Sequence, residues 1–193
     1  MDYFDLICYR QSIRSFTEEP VSQKDLSALL LAGHSAPVGS NLNKDIHLTV
    51  VQSRDILDKL GQASNKRWEN KEVMKKIVGE EAANRPRRDP FRNAPLVIFV
   101  SHRYQDVQPG IEYSNVACVA YAMHLAATDL GLGSVLIWGA LEAMREIPEL
   151  DNTAALQLPA DFAPLLGLAV GYPAVEIKPR ELKTDKFTMN YLS

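Results

Sequence analysis

Two rhythms of apolar spacing alternate along the chain, one with the period of a helix and one of short unbroken runs, and their order predicts its elements. A short helix is predicted over residues 3 to 9 with Asp2 as N-cap, followed by an extended segment, RQSIRSF. Ser22 with Asp25 three positions on reads as a capping-box-like start, and Leu26, Leu29, Leu30 and Gly33 then fall at helical spacing. The loop SAPVGSN ends that helix. His47 to Gln52 (HLTVVQ) reads as a strand, and Ser53 caps a further helix to about Gln62. Residues 66 to 84 are charged and amphipathic, which predicts one solvated helix. RPRRDPFRNAP, with three prolines, must be irregular. Leu96 to Ser101 (LVIFVS) is apolar throughout, as a strand buried on both faces would be. Ile111 to Leu130 is the longest helical stretch. It is apolar almost all round, so it belongs at the centre of a fold or in a dimer interface. Gly131 and Gly133 punctuate its end, and residues 134 to 138 and 164 to 173 supply two more strands. Helix and strand alternate, which predicts a mixed α and β fold with one central sheet.

Composition narrows the class. A chain of 193 residues with 46% hydrophobic and 23% charged residues fits one globular domain, taken as residues 1–193. A formal net charge of −3 gives no reason to expect nucleic acid or an anionic membrane as the main partner. No apolar run approaches the roughly 20 residues that span a bilayer. MDYFDLICYR lacks the basic start and apolar stretch of a signal peptide, so a soluble, cytoplasmic protein is expected. Cys8 and Cys118 lie far apart and are expected as free thiols. His34, His47, His102 and His124 show no close ligand spacing, and no metal site is expected.

Five segments carry possible chemistry. In an extended RQSIRSF, Arg10, Ser12 and Arg14 share one face, and two guanidiniums with a hydroxyl suit a phosphate-bearing ligand; a solvated surface segment is the alternative. AGHSAPVGSN, residues 32 to 41, offers small side chains and backbone amides to a flat ligand, or is simply a helix-ending turn. In GLGSVLIWG the glycines close a helix and open a strand, the reverse of a dinucleotide-binding loop, so Gly131 or Gly133 reads as a helix cap. GYPAVEIKPR places Lys178 and Arg180 after a strand, in what could be a solvated tail. The four arginines of RPRRDPFR read either as an anion site or as a solvated lid. No serine sits in a G-x-S-x-G elbow, which removes that hydrolase arrangement.

Taken in order, these segments resemble the nitroreductase family. RQSIRSFTEEPVS is similar to its R-x-S-x-R-x-F signature, SAPVGSN to its A-P-S-x-x-N loop, and DPFRNAPLVIFV to the segment before its central strand. EYSNVACVAYAMHLAATDLGLGSVLIWG resembles its buried dimer helix and following strand, and GYPAVEIKPR its C-terminal G-Y-P-x-x-x-x-K-P-R. The likeness covers nearly the whole chain. It implies an α+β, three-layer fold with a mostly antiparallel central sheet flanked by helices, in an intertwined homodimer with shared active sites. It also implies noncovalent FMN at the dimer interface. Arg10, Gln11 and Ser12 would face the phosphate and ribityl chain, Arg14 the N1 and O2 edge of the ring, and Lys178 and Arg180 would complete the phosphate clamp. Pro37, Val38, Gly39 and Asn41 of the other subunit would border the ring, with Trp138 and Gly139 near its reactive N5. Either Asn65 or Asn70 would touch the flavin.

The activity so implied is reduction of small-molecule acceptors, nitroaromatic or quinone, by a ping-pong hydride transfer from NAD(P)H through flavin N5. No side chain is needed as catalytic acid or base, with Arg14 as electrostatic support. Other chemistry on the same fold (metabolite dehydrogenation or dehalogenation) and a flavin carrier or sensor are the alternatives. This chain departs from the family pattern at Val38, where a serine is usual, and in NKDI (43 to 46), which replaces Q-P-W. Those changes bear on the shape of the substrate pocket.

Overall fold

The computed structural model describes residues 1–106 and 108–192. These form four strands and seven helices: α1 (Tyr3–Tyr9), α2 (Gln23–His34), β1 (Ile46–Val51), α3 (Arg54–Glu69), α4 (Lys71–Val78), α5 (Glu80–Ala83), β2 (Leu96–Arg103), α6 (Ile111–Asp129), β3 (Gly133–Ile137), α7 (Gly139–Glu146) and β4 (Phe162–Gly171). The sheet runs β1-β2-β4-β3 with every neighbouring pair antiparallel.

Successive residues of a strand face opposite ways, and β2 uses both sides. Leu96, Ile98 and Val100 pack with Leu29 of α2 and Val116, Val119 and Met123 of α6. Val97 and Phe99 pack with Leu57 and Leu60 of α3 and Leu141 and Met144 of α7. Helices therefore cover both faces, giving three layers, which is why the β2 sequence carries no polar alternation.

Helix ends follow the capping chemistry. Asp2, Ser22 and Ser53 accept the N–H groups of Asp5, Asp25 and Ile56. α6 closes in a Schellman turn, with Leu132 N–H on the Ala127 carbonyl at 2.8 Å and Gly131 at φ 75°. Gly133 is not part of that cap. A side chain there would sit 2.7 Å from Ile13, so the residue is small because the 10–16 segment packs against it.

One expectation is corrected, and two features go beyond the sequence reading. The single helix over 66 to 84 is three pieces: α3 continues to Glu69, Asn70 then caps α4 through Val73 N–H, and Gly79 at φ 83° starts α5. Residues 139–146, unassigned from sequence, form α7. α6 buries one face only within the chain, and Tyr113, Cys118 and Tyr121 are exposed on the other. Strand ends also move by one or two residues, and Trp138 lies outside β3.

Candidate functional site

The extended segment after α1 lies between the start of β3 and the chain beyond β4. Ile13 N–H donates to Ser134 at 3.0 Å, Thr17 to Tyr172 at 2.9 Å, and Ala174 N–H returns to Ser15 at 3.0 Å. Ser12 forms a parallel bridge with Ser134. Further on, Arg180 N–H donates to Cys8 at 3.0 Å, and the Gln11 amide donates to the Lys178 carbonyl. This lacing brings Arg10, Gln11 and Arg180, 170 positions apart at its extremes (10 to 180), to one place. Lys178 joins through its backbone, while its ammonium, largely exposed, faces Glu176 at 3.4 Å.

Arg10 is fixed from below by a buried histidine. Its Nη1 lies 2.8 Å from His124 Nε2, and His124 Nδ1 contacts Ser134 Oγ. Burial first, and the Arg10 charge second, push the imidazole down to about 4, so it is neutral at pH 7. A neutral ring that accepts from Arg10 at Nε2 must carry its proton on Nδ1 and donate to Ser134. The Arg10 guanidinium is itself held below its ordinary value by burial and then by Arg180. Arg180 gives one N–H to the Ile7 carbonyl, and its Nε is buried without a partner among the described residues. Among those residues neither arginine is ion-paired to a carboxylate. Two crowded cations with no acid between them form a place for an anion.

Beyond Ser12 the segment reaches a cavity of about 480 Å³ lined by Arg14, Arg92, Trp68, Trp138 and Gly139. Arg14 is exposed and donates to the Ser12 carbonyl at 3.2 Å. Trp138 stands between the Arg145 guanidinium, 5.5 Å from its ring centre, and the Tyr113 ring at 5.8 Å. Gly139 opens α7, where the first N–H groups of a helix lack intrahelical acceptors. Its carbonyl accepts from Arg67 Nη2 at 2.7 Å, and buried Arg67 also binds Glu142 and Glu146 at 3.0 Å each. Arg67 thus anchors the start of α7 against α3.

The 37–41 loop is held elsewhere. Gly39 N–H donates to Asn115 Oδ1 at 2.8 Å, and Asn115 reaches His102 at 3.3 Å. Ser40 and Asn41 take positive φ, 54° and 56°. Val38 lines a separate cavity of about 530 Å³ with Leu30, His34 and Leu48, and neither Pro37, Gly39 nor Asn41 lines the first cavity. Within one chain, then, Arg10, Gln11, Lys178 and Arg180 form one group, Arg14, Trp138 and Gly139 line the first cavity, the 10–14 segment links the two, and the 37–41 loop joins neither. Of the two asparagines, Asn70 caps α4, and Asn65 Oδ1 is buried without a partner among the described residues; neither lines the first cavity.

The profile of the nitroreductase family matches residues 7–172. The chain belongs to the nitroreductase family. It is 29% identical over 171 residues to "FMN reductase [NAD(P)H]" of Bacillus subtilis (strain 168), covering 85% of this chain and 63% of that protein. It thus spans less than two thirds of that relative's length. To the "Oxygen-insensitive NADPH nitroreductase" of Salmonella typhimurium (strain LT2) it is 26% identical over 190 residues, covering 91% of this chain and 68% of the other. In fold it is similar to a nitroreductase with bound FMN from Bacteroides fragilis NCTC 9343, with a TM-score of 0.77 at 24% identity, over 99% of this chain and 100% of that one. The expected three-layer α+β fold with its antiparallel sheet is therefore the one observed.

Among nitroreductase-family features, the matched span holds the RQSIRSF segment and ends before Lys178 and Arg180. Sequence reasoning missed Arg67 and His124. Each acts through a partner distant in sequence, so its only local cue was that it is a charged or titratable residue on a helix that ends up buried.

Proposed function

We propose that this nitroreductase-family chain is an FMN-dependent oxidoreductase that takes electrons from NAD(P)H and delivers them to small oxidised acceptors, nitroaromatic or quinone. The observation that carries the reading is the Arg10–Arg180 pair, two neighbouring cations with a buried unpartnered Nε and, among the described residues, no carboxylate partner. The FMN phosphate fits it, because a doubly charged anion removes the repulsion that burial intensifies. The relatives named as FMN reductase and nitroreductase support the same reading.

Bound there, FMN would supply a two-electron carrier between nicotinamide and acceptor. The chain's own residues bind, orient and tune. Arg10 and Arg180 hold the phosphate, with Lys178 able to swing in; Gln11 and Ser12 border the ribityl chain. His124, neutral, keeps Arg10 aimed without adding a second charge. Arg14 places a fixed cation at the edge of the cavity, where it favours negative charge developing on the N1 and O2 side of the ring. Trp138 and the N–H groups opening α7 border its reactive edge, and Arg67 fixes their position. The 37–41 loop would close the site from a second copy of the chain. The exposed Tyr113, Ala117, Cys118 and Tyr121 on α6 offer that copy an apolar face.

The test is an absorbance spectrum of the purified protein with FMN, before and after anaerobic NADH or NADPH. A protein-bound flavin band that bleaches with either donor is the expected result. Bound flavin that does not bleach would overturn the NAD(P)H-dependent activity, and failure to bind FMN would overturn the cofactor.

A further inference from the structure

The arginine-rich run from 85 to 92 separates into two kinds of residue. Arg85, Arg87 and Arg88 are exposed, and Arg85 pairs with Glu81 on the helix surface. Arg92 is half-buried, and its Nε has no partner among the described residues. Its placement is built by the backbone. Asp89 Oδ1 accepts the N–H groups of Phe91 and Asn93, both at 2.9 Å, while its Oδ2 is engaged by Arg54. Arg92 and Asn93 both adopt positive φ, 64° and 52°. Two successive non-glycine residues in that region carry a conformational cost that surrounding contacts must offset. The Asp89 cap and the fully buried Phe91, whose ring meets Phe99 at 5.8 Å, do so. The result of this strained turn is that Arg92 lines the 480 Å³ cavity together with Arg14 and Arg88, with the Glu81-paired Arg85 also at its lining.

Burial, and next the charges of Arg14 and Arg88, hold the Arg92 guanidinium below its ordinary value. Among the described residues none of the three is ion-paired to a carboxylate, and both oxygens of Asp89 are already occupied. Met74, Ile77 and Val78 of α4 line the same cavity with Trp68 and Trp138, and its one carboxylate among the described residues, Glu142, is bound by Arg67. Unpaired cations and aromatic and aliphatic side chains in one cavity match a ligand that is flat and apolar over most of its surface and anionic at one end.

We propose that this cavity selects acceptors carrying a carboxylate or phosphate on a flat apolar body, with Arg92 pairing the anion, Arg88 beside it, and Trp68 and Trp138 against the body. The assignment rests on the oxidoreductase reading above and adds the substrate class. The three guanidiniums have separate tasks: Arg14 serves the cofactor edge, and Arg92 with Arg88 serves the acceptor.

Both tryptophans of the chain line the cavity, so their fluorescence reports on it directly. The FMN-loaded protein is titrated with para-nitrobenzoate and with its neutral analogue para-nitrobenzamide, following tryptophan quenching. Para-nitrobenzoate is expected to bind about tenfold more tightly, the scale of one charge-assisted hydrogen bond, with the preference shrinking as NaCl is added. Arg92→Gln should bring the two affinities to within about twofold while FMN absorbance per chain stays unchanged, and Arg92→Lys should keep part of the preference. Equal affinities in the wild-type protein, or a preference untouched by salt, overturn the proposal without recourse to any variant. So does loss of FMN in Arg92→Gln, which would place Arg92 in the cofactor cradle. If Arg92→Gln weakens NADPH relative to NADH and leaves the para-nitrobenzoate preference intact, the anion is the donor's phosphate and the acceptor assignment is wrong. A protein that discriminates the two probes yet binds no FMN retains the anion site and overturns the oxidoreductase reading instead.

Discussion

The neutral histidine beneath Arg10 makes a quantitative demand on how stability varies with pH. His124 titrates near 6.5 in an unfolded chain and is pushed down to about 4 in the fold, by burial and then by Arg10. Between those values the unfolded state binds a proton that the folded state refuses, so stability falls as pH drops through that window and rises as pH increases. Every tenfold difference in proton affinity between the two states is worth about 1.4 kcal/mol. On that basis the loss is about 2 kcal/mol between about pH 7.5 and about pH 5, and approaches about 3 kcal/mol below pH 4. Urea unfolding at the two pH values measures it, with His124→Gln alongside. That variant retains an acceptor for Arg10 but has no proton to take up. The wild-type protein should lose about 2 kcal/mol more than the variant on acidification, because carboxylate titrations are common to both and cancel. Added FMN should make the wild-type slope shallower, since a phosphate on Arg10 offsets part of the charge that repels a proton from His124. Parallel pH profiles for the two proteins would refute the neutral, buried assignment of His124.

Two further outcomes test the frame around the site. Gly133→Val introduces a branched side chain where even a Cβ would lie 2.7 Å from Ile13, so a loss of about 1–3 kcal/mol in urea unfolding is expected, and an unchanged midpoint would show that the 10–16 segment does not pack as described. Tyr121→Glu places a charge on the exposed apolar face of α6; sedimentation should show a shift from dimer toward monomer, and a wild-type protein that sediments as a monomer would refute the shared-site reading.

How far the sequence revealed this molecule depended on the range of the forces involved. LVIFVS declared a strand covered on both faces, and Ser22 and Ser53 declared helix starts, because each depends on neighbours within a few residues. α7 was not legible: GALEAMRE makes only two turns, begins without a capping side chain, and is held by Arg67 from 72 residues away. Gly79 was a visible breaker in the 66 to 84 stretch, and reading through it merged α4 with α5, while the break at Asn70 between α3 and α4 had only a capping side chain to mark it. The RQSIRSF spacing pointed correctly to one extended segment. That Arg10 rests on His124, 114 positions on, could only come from the fold. The turn at Arg92 was hidden for another reason, since no glycine marks its positive φ values, and the Asp-Pro pair at 89–90 was the only local cue.

The strand order has a consequence for how the chain reaches this state. β4, last of the four in sequence, occupies the interior of the sheet between β2 and β3. On a ribosome β3 is complete before the strand it pairs with exists, and β2 has one side open until residues 162–171 emerge. β1 and β2 can pair as soon as both have emerged, but β3, and the site residue Trp138 that follows it, joins the sheet only when β4 inserts between β2 and β3. Pairings of such long sequence separation form slowly, and the nascent chain meanwhile exposes apolar edges for which chaperones compete.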